Sequence, residues 1–133
     1  MSERWSYLTV VTGGRDYTNR NVIRSALLAL IERAGERRPV LILGGCLTGV
    51  DEIARQEWHL MERPYVVAPA RWRLGGKIAG PHRNSAMALG TILAGDPYLR
   101  PDELLAFPGG NGTRDCRRKC ADLGVPIVDV TDE

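Results

Sequence analysis

Cysteine is scarce in this chain: three residues, with no CxxC pair, exclude a disulfide framework or a thiolate zinc site. Aromatic residues are nearly as sparse, with one Phe, three Trp and four Tyr. A formal net charge of +2 also falls short of the basic excess of a dedicated nucleic-acid binder, so nucleic acid is not an expected partner. No apolar run approaches the roughly 20 residues of a membrane-spanning helix, so no membrane partner is expected either. The opening MSERWSYLTVV carries charges and then runs into a strand-like segment, without an apolar core and a small-residue cleavage site, and a cytoplasmic protein is expected. No cluster has metal-ligand spacing, so no metal and no cofactor is expected; Mg²⁺ between Asp16 and Asp51 is the one arrangement the loops leave open.

What the chain has is an ordinary globular balance, 44% apolar and 26% charged residues, in a length of 133 that suits one domain spanning residues 1–133. Such a length buries roughly two-thirds of the unfolded surface around a single core. Five short β-rich runs punctuate it: YLTVVT (7–12), PVLILG (39–44), PYVVAP (64–69), ELLAFP (103–108) and PIVDV (126–130). Each of the first four leads into a helical pattern. Val22, Ala26, Leu27, Leu30 and Ile31 form the stripe of the first helix, with Thr18 or Asn19 as its cap. Val50, Ile53, Ala54, Trp58 and Met61 form that of the second. The third, after Pro81, is apolar nearly all round from Ala86 to Ala94, which predicts burial on two sides and a homodimer through that helix. The fourth turns Cys116, Cys120 and Leu123 inward and Arg114, Arg117 and Arg118 outward. Strands without polar alternation, separated by single helices, predict a doubly wound α/β fold with a parallel sheet covered on both faces.

In that fold a ligand sits at the carboxyl ends of the strands, near the point where the strand order reverses. Three glycine clusters fall there. The first strand ends in Gly13, Gly14, Arg15 and Asp16, and the second in Gly44, Gly45, Thr48, Gly49 and Asp51. The fourth ends in Pro108, Gly109, Gly110, Asn111, Gly112 and Thr113. Glycine there permits positive φ and lets backbone N–H groups approach a ligand, and a helix opening directly behind offers a positive dipole end to a phosphate. The dinucleotide fingerprint GxGxxG is absent after the first strand. GGCLTGVD has the glycine spacing of a P-loop at Gly44 and Gly49, but carries Val50 and Asp51 where Lys and Ser/Thr belong, which argues against triphosphate hydrolysis.

One connection is too long for a turn. ARWRLGGKIAGPHRN, between the third strand and the third helix, has the length of a binding loop. It brings Trp72, which could stack on a base, Gly80, Arg83, placed at a helix start to meet a phosphate or sugar, and Asn84.

GGRDYTN, GGCLTGVDEIARQEW, PARWRLGGKIAGPHRNSAM and FPGGNGTRD, in this order, resemble the YspA/YpsA-related branch of the SLOG superfamily over residues 7 to 130. That superfamily joins the DNA-processing Smf/DprA proteins to the Lonely Guy phosphoribohydrolases. The resemblance implies a Rossmann-like five-stranded sheet of order 3-2-1-4-5 binding nucleotides or nucleotide-derived molecules at the glycine loops, often in phage–bacteria conflict. It also implies a dimeric habit. The Lonely Guy motif PGGxGTxxE maps onto Pro108, Gly109, Gly110, Gly112 and Thr113, but its glutamate position falls on Cys116, with Asp115 one residue earlier. The hydrolases' preceding arginine corresponds to Arg83.

Three functions follow. A binding module would cradle phosphate and ribose in the glycine loops under Trp72 and Arg83, with no catalyst. An N-glycoside hydrolase acting on nucleoside 5′-monophosphates would use Asp115 or Asp51 at the anomeric carbon and Arg83 on the phosphate. Single-strand DNA binding, by analogy with Smf/DprA, needs a basic groove with stacking aromatics, which this composition does not supply.

Overall fold

The computed structural model describes residues 5–68, 84, 87 and 100–131. Strand β1 (Ser6–Thr12) leads to helix α1 (Arg20–Ala34), and β2 (Arg38–Leu43) leads to α2 (Val50–Leu60) and β3 (Tyr65–Val67). Then β4 (Glu103–Ala106) leads to α3 (Asn111–Asp122) and β5 (Ile127–Asp129). The strands form one all-parallel sheet in the order β3-β2-β1-β4-β5. This is a Rossmann-like doubly wound α/β fold. Every strand expected from the sequence is present, its ends within two residues of the predicted ones.

Both faces of the sheet are covered, which is why its strands read as unbroken apolar runs. Leu8, Val10, Ile42, Leu104 and Ala106 meet Cys116 and Cys120 of α3 and Met87 on one side. Val11, Leu41, Leu43 and Leu105 meet Ile23, Leu27, Leu30, Ala54 and Trp58 of α1 and α2 on the other. Each large side chain fully removed from water contributes about 1.5–3 kcal/mol.

Helix α1 starts where the Asn19 side chain accepts the Val22 N–H at 3.3 Å, so Asn19 and not Thr18 is the cap. It stops at Gly35, in the left-handed region at φ +60°. Its buried line is Ile23, Leu27, Leu30 and Ala34, while Val22, Ala26 and Ile31 are half-buried flanks. Leu27 and Leu30 of the expected stripe thus lie at the centre of the contact, Ile23 and Ala34 complete the line, and the other three expected residues pack along its edge. In α2, Trp58 is fully buried because its indole N–H finds the Pro64 carbonyl at 2.8 Å. Beside it the buried Glu57 carboxylate accepts from Arg20 at 3.1 Å and Arg24 at 2.5 Å, tying α1 to α2.

At the N-terminal edge of the sheet, buried Glu103 takes two hydrogen bonds from Arg33, at 3.0 and 2.7 Å, and one from the Tyr7 hydroxyl. Asp102 accepts from Arg37 at 3.0 Å and from the Leu8 N–H at 2.8 Å. The buried charge pairs of the sheet thus sit at the end opposite the glycine loops. The helix expected after Pro81, and with it the expected dimer contact, lies outside the described residues apart from Asn84 and Met87, both helical and buried. No helix among the described residues is long and apolar enough to cross a membrane.

Candidate functional site

The sheet order turns between β1 and β4: α1 returns to one face and α3 to the other, which opens a crevice above the loops. The three glycine clusters interlock beneath it. The Gly14 N–H donates to the Pro108 carbonyl at 2.8 Å, and the Gly14 carbonyl accepts from Val50 N–H at 3.2 Å and Tyr17 N–H at 3.3 Å. Contact this close needs bare backbone. A Cβ on Gly13 would lie 2.4 Å from Val50 Cγ2, and one on Gly109 2.2 Å from Thr113 Oγ1. Gly49 combines φ +74° with a would-be Cβ only 2.2 Å from the Gly14 carbonyl oxygen.

Gly110 and Gly112 differ. A Cβ at either would meet nothing within 4 Å, and neither adopts positive φ. No contact among the described residues requires these glycines, so what their bareness preserves there is the space in front of α3.

That space is a cavity of about 1090 Å³, on the scale of small-molecule sites. Its wall includes Gly13, Gly14, Arg15, Asp16 and Tyr17 from the β1 loop, and Gly44, Gly45, Cys46, Leu47, Thr48 and Asp51 from the β2 loop and α2. Pro108, Gly109, Gly110, Asn111, Gly112 and Thr113 come from the β4 loop, with Asn84 and Met87 from the segment between β3 and β4. Gly49 sits behind the wall, buried by the loop contact. Trp72, Gly80 and Arg83 lie outside the described residues. Sequence reasoning passed over Tyr17, Cys46, Leu47 and Met87, because it gave weight to glycines and polar groups; the bracketing of Cys46 and Leu47 by loop glycines was the available signal.

The N-termini of α1, α2 and α3 are not equivalent. That of α1 is capped by Asn19. That of α2 carries Asp51 and Glu52 in its first turn, and its Val50 N–H is taken by Gly14. That of α3 has no side-chain cap and no acidic residue in its first turn. The N–H groups of Asn111, Gly112 and Thr113 have no acceptor within the helix, and with the helix dipole they present a partial positive charge to the cavity.

Asp115 stands one turn further along α3 and is not part of the wall. Its carboxylate accepts from Asn84 at 3.0 Å, from Lys119 at 2.9 Å and from Arg118 at 2.9 Å. Burial pushes its pKa up, but the Asn84 amide and the Lys119 and Arg118 charges outweigh that and hold it below the usual value. Asn84, only 4% exposed, also donates to the Gly112 carbonyl at 3.3 Å, so Asp115 reaches the cavity only through Asn84 and the first turn of α3. Among the described residues, no three His, Cys, Asp or Glu side chains converge as a metal site would require.

A doubly wound parallel sheet with interlocked glycine loops over its switch point defines a Rossmann-like α/β protein. Within that class the chain belongs to the YspA, cpYpsA-related SLOG family, YAcAr, whose profile matches residues 9–75. It is also 31% identical over 131 residues to the Gene 61 protein of Mycobacterium phage D29, an alignment covering 93% of this chain and 96% of that protein.

Proposed function

We propose that the cavity binds a nucleotide or nucleotide-derived molecule, with a phosphoryl group at the N-terminus of α3 and without chemical conversion. The observation that carries this reading is the first turn of α3: without a side-chain cap, free of acid, and fronted by Gly110 and Gly112, whose missing side chains serve no contact among the described residues. Membership of the SLOG family supports a nucleotide-type ligand, and the phage origin of the relative supports a sensing or sequestering role in phage–bacteria conflict.

Hydrolysis of an N-glycosidic bond is the second reading, and it now leans on Asp51. Asp115 lies outside the cavity wall, whereas Asp51 is part of it. One experiment separates the two. The purified protein is incubated with nucleoside monophosphates, cyclic nucleotides and NAD-derived nucleotides, and free and protein-retained compounds are identified by mass spectrometry. An intact compound retained at micromolar protein is expected. Free base plus ribose 5-phosphate, released by the wild type and lost in Asp51→Asn, would replace binding by hydrolysis; retention of nothing would overturn both.

A further inference from the structure

Leu47 lines the cavity and yet is 87% exposed, the most exposed large apolar side chain among the described residues. Its position is nevertheless fixed. Gly45 at φ +77° and Gly49 at φ +74° bracket the tip Cys46–Leu47–Thr48 in left-handed conformations, and Gly49 is wedged against the Gly14 carbonyl and the Arg15 backbone. The tip is therefore held up by loop-to-loop backbone contact while its apolar side chain is left uncovered. Leaving a leucine bare forgoes the favourable transfer from water that burial brings, and a ligand entering the cavity can supply that cover.

The sheet order says which part of a ligand would do so. β2 and β4 flank β1, so the tip and the start of α3 stand about two strand spacings apart, roughly 10 Å. The two ends differ in chemistry. At α3 the first N–H groups have no acceptor within the helix and the first turn has no side-chain cap and no acid, while at the α2 end, behind the Leu47 tip, the helix terminus carries Asp51. An anion is drawn to the first end and repelled from the second, so a phosphorylated nucleotide lies across the β1 loop in one direction only, its sugar over Gly13 and Gly14.

We propose that Leu47 is a specificity-determining residue, covering the face of the ligand's base at the β2 end of the cavity. This rests on the reading that the cavity takes a phosphorylated nucleotide. The test is isothermal titration calorimetry of the full chain with ribose 5-phosphate and with the 5′-monophosphates of adenosine, guanosine, cytidine and uridine. The wild type is expected to bind at least one nucleotide more than tenfold tighter than ribose 5-phosphate. Leu47→Ala should weaken that nucleotide about three- to tenfold and leave ribose 5-phosphate within twofold, and Leu47→Met should restore most of the loss. Equal weakening of both probes in Leu47→Ala, or no weakening of either, would overturn the assignment. Wild-type binding of ribose 5-phosphate as tight as any nucleotide would remove the base wall and leave the phosphate site standing. Failure of all five probes to bind would overturn the assignment for 5′-monophosphates and leave the nucleotide reading to the cyclic and NAD-derived compounds of the wider panel.

Discussion

The glycines of the three loops fall into two kinds, and each kind answers to a different part of the physics. Gly13, Gly49 and Gly109 are bare because neighbouring loops occupy the place of a Cβ. At Gly49 the demand is double, since φ +74° with ψ −148° is a region only glycine enters at low cost. Gly49→Ala must therefore shift backbone on both sides of the β1–β2 contact, and we expect it to lose about 3 kcal/mol or more in urea unfolding. Gly110→Ala meets open space and should stay within about 0.5 kcal/mol of the wild type. Equal losses at the two positions would show that the loops are not interlocked as described.

Among the elements, α3 is where fold and function pull in opposite directions. Its first turn combines Gly112, a poor helix residue, with a terminus that lacks a cap and lacks acid, and each of these weakens a helix. Gly112→Asp should repair the helix, adding about 0.5–1 kcal/mol and a few degrees of thermal midpoint, while setting a carboxylate where the phosphoryl group is expected. Binding of a retained nucleotide should fall at least tenfold; undiminished binding would move the phosphate away from α3. Much of this element was legible in the sequence, because Cys116 and Cys120 mark its buried line and PGGNGT its start. The strands were legible for a similar reason: the first four are apolar runs closed by glycine or proline, and the fifth is a short run opened by Pro126. The exact centre of the α1 stripe was not, since several consecutive apolar residues leave the choice of Ile23 and Ala34 over Val22 and Ile31 to tertiary packing. Nor was the setting of Asp115: Lys119 lies one turn away, but Asn84 arrives from 31 residues earlier in the chain. Nor was the place of Leu47, which Gly45 and Gly49 lift into the cavity mouth.

For the whole molecule, the placement of paired charges sets how stability follows pH. Glu57 holds its carboxyl below the usual range, chiefly through the Arg24 hydrogen bond and then Arg20, against a burial that acts the other way. Asp115 is likewise depressed, its partners outweighing burial. In both cases the unfolded chain takes up the proton first as pH falls, so stability is whole above about pH 5 and declines below it, through the ordinary carboxylate range and on to the lower folded values. Tyr7 sets the other limit. Burial, and then the hydrogen bond to Glu103, push its pKa up to about 12, so the unfolded chain loses that proton first as pH rises past about 10, and stability falls there again. Urea midpoints measured from pH 3 to 11 should therefore trace a plateau between two declines. Glu57→Gln should lower the plateau and flatten the acid limb, and Tyr7→Phe should flatten the alkaline limb alone. Added salt should soften the acid limb only in part, because Arg20 and Arg24 are near half exposed while the Glu57 carboxylate they hold is buried. An acid limb unchanged in Glu57→Gln would mean that the tie between α1 and α2 contributes no proton-linked stability.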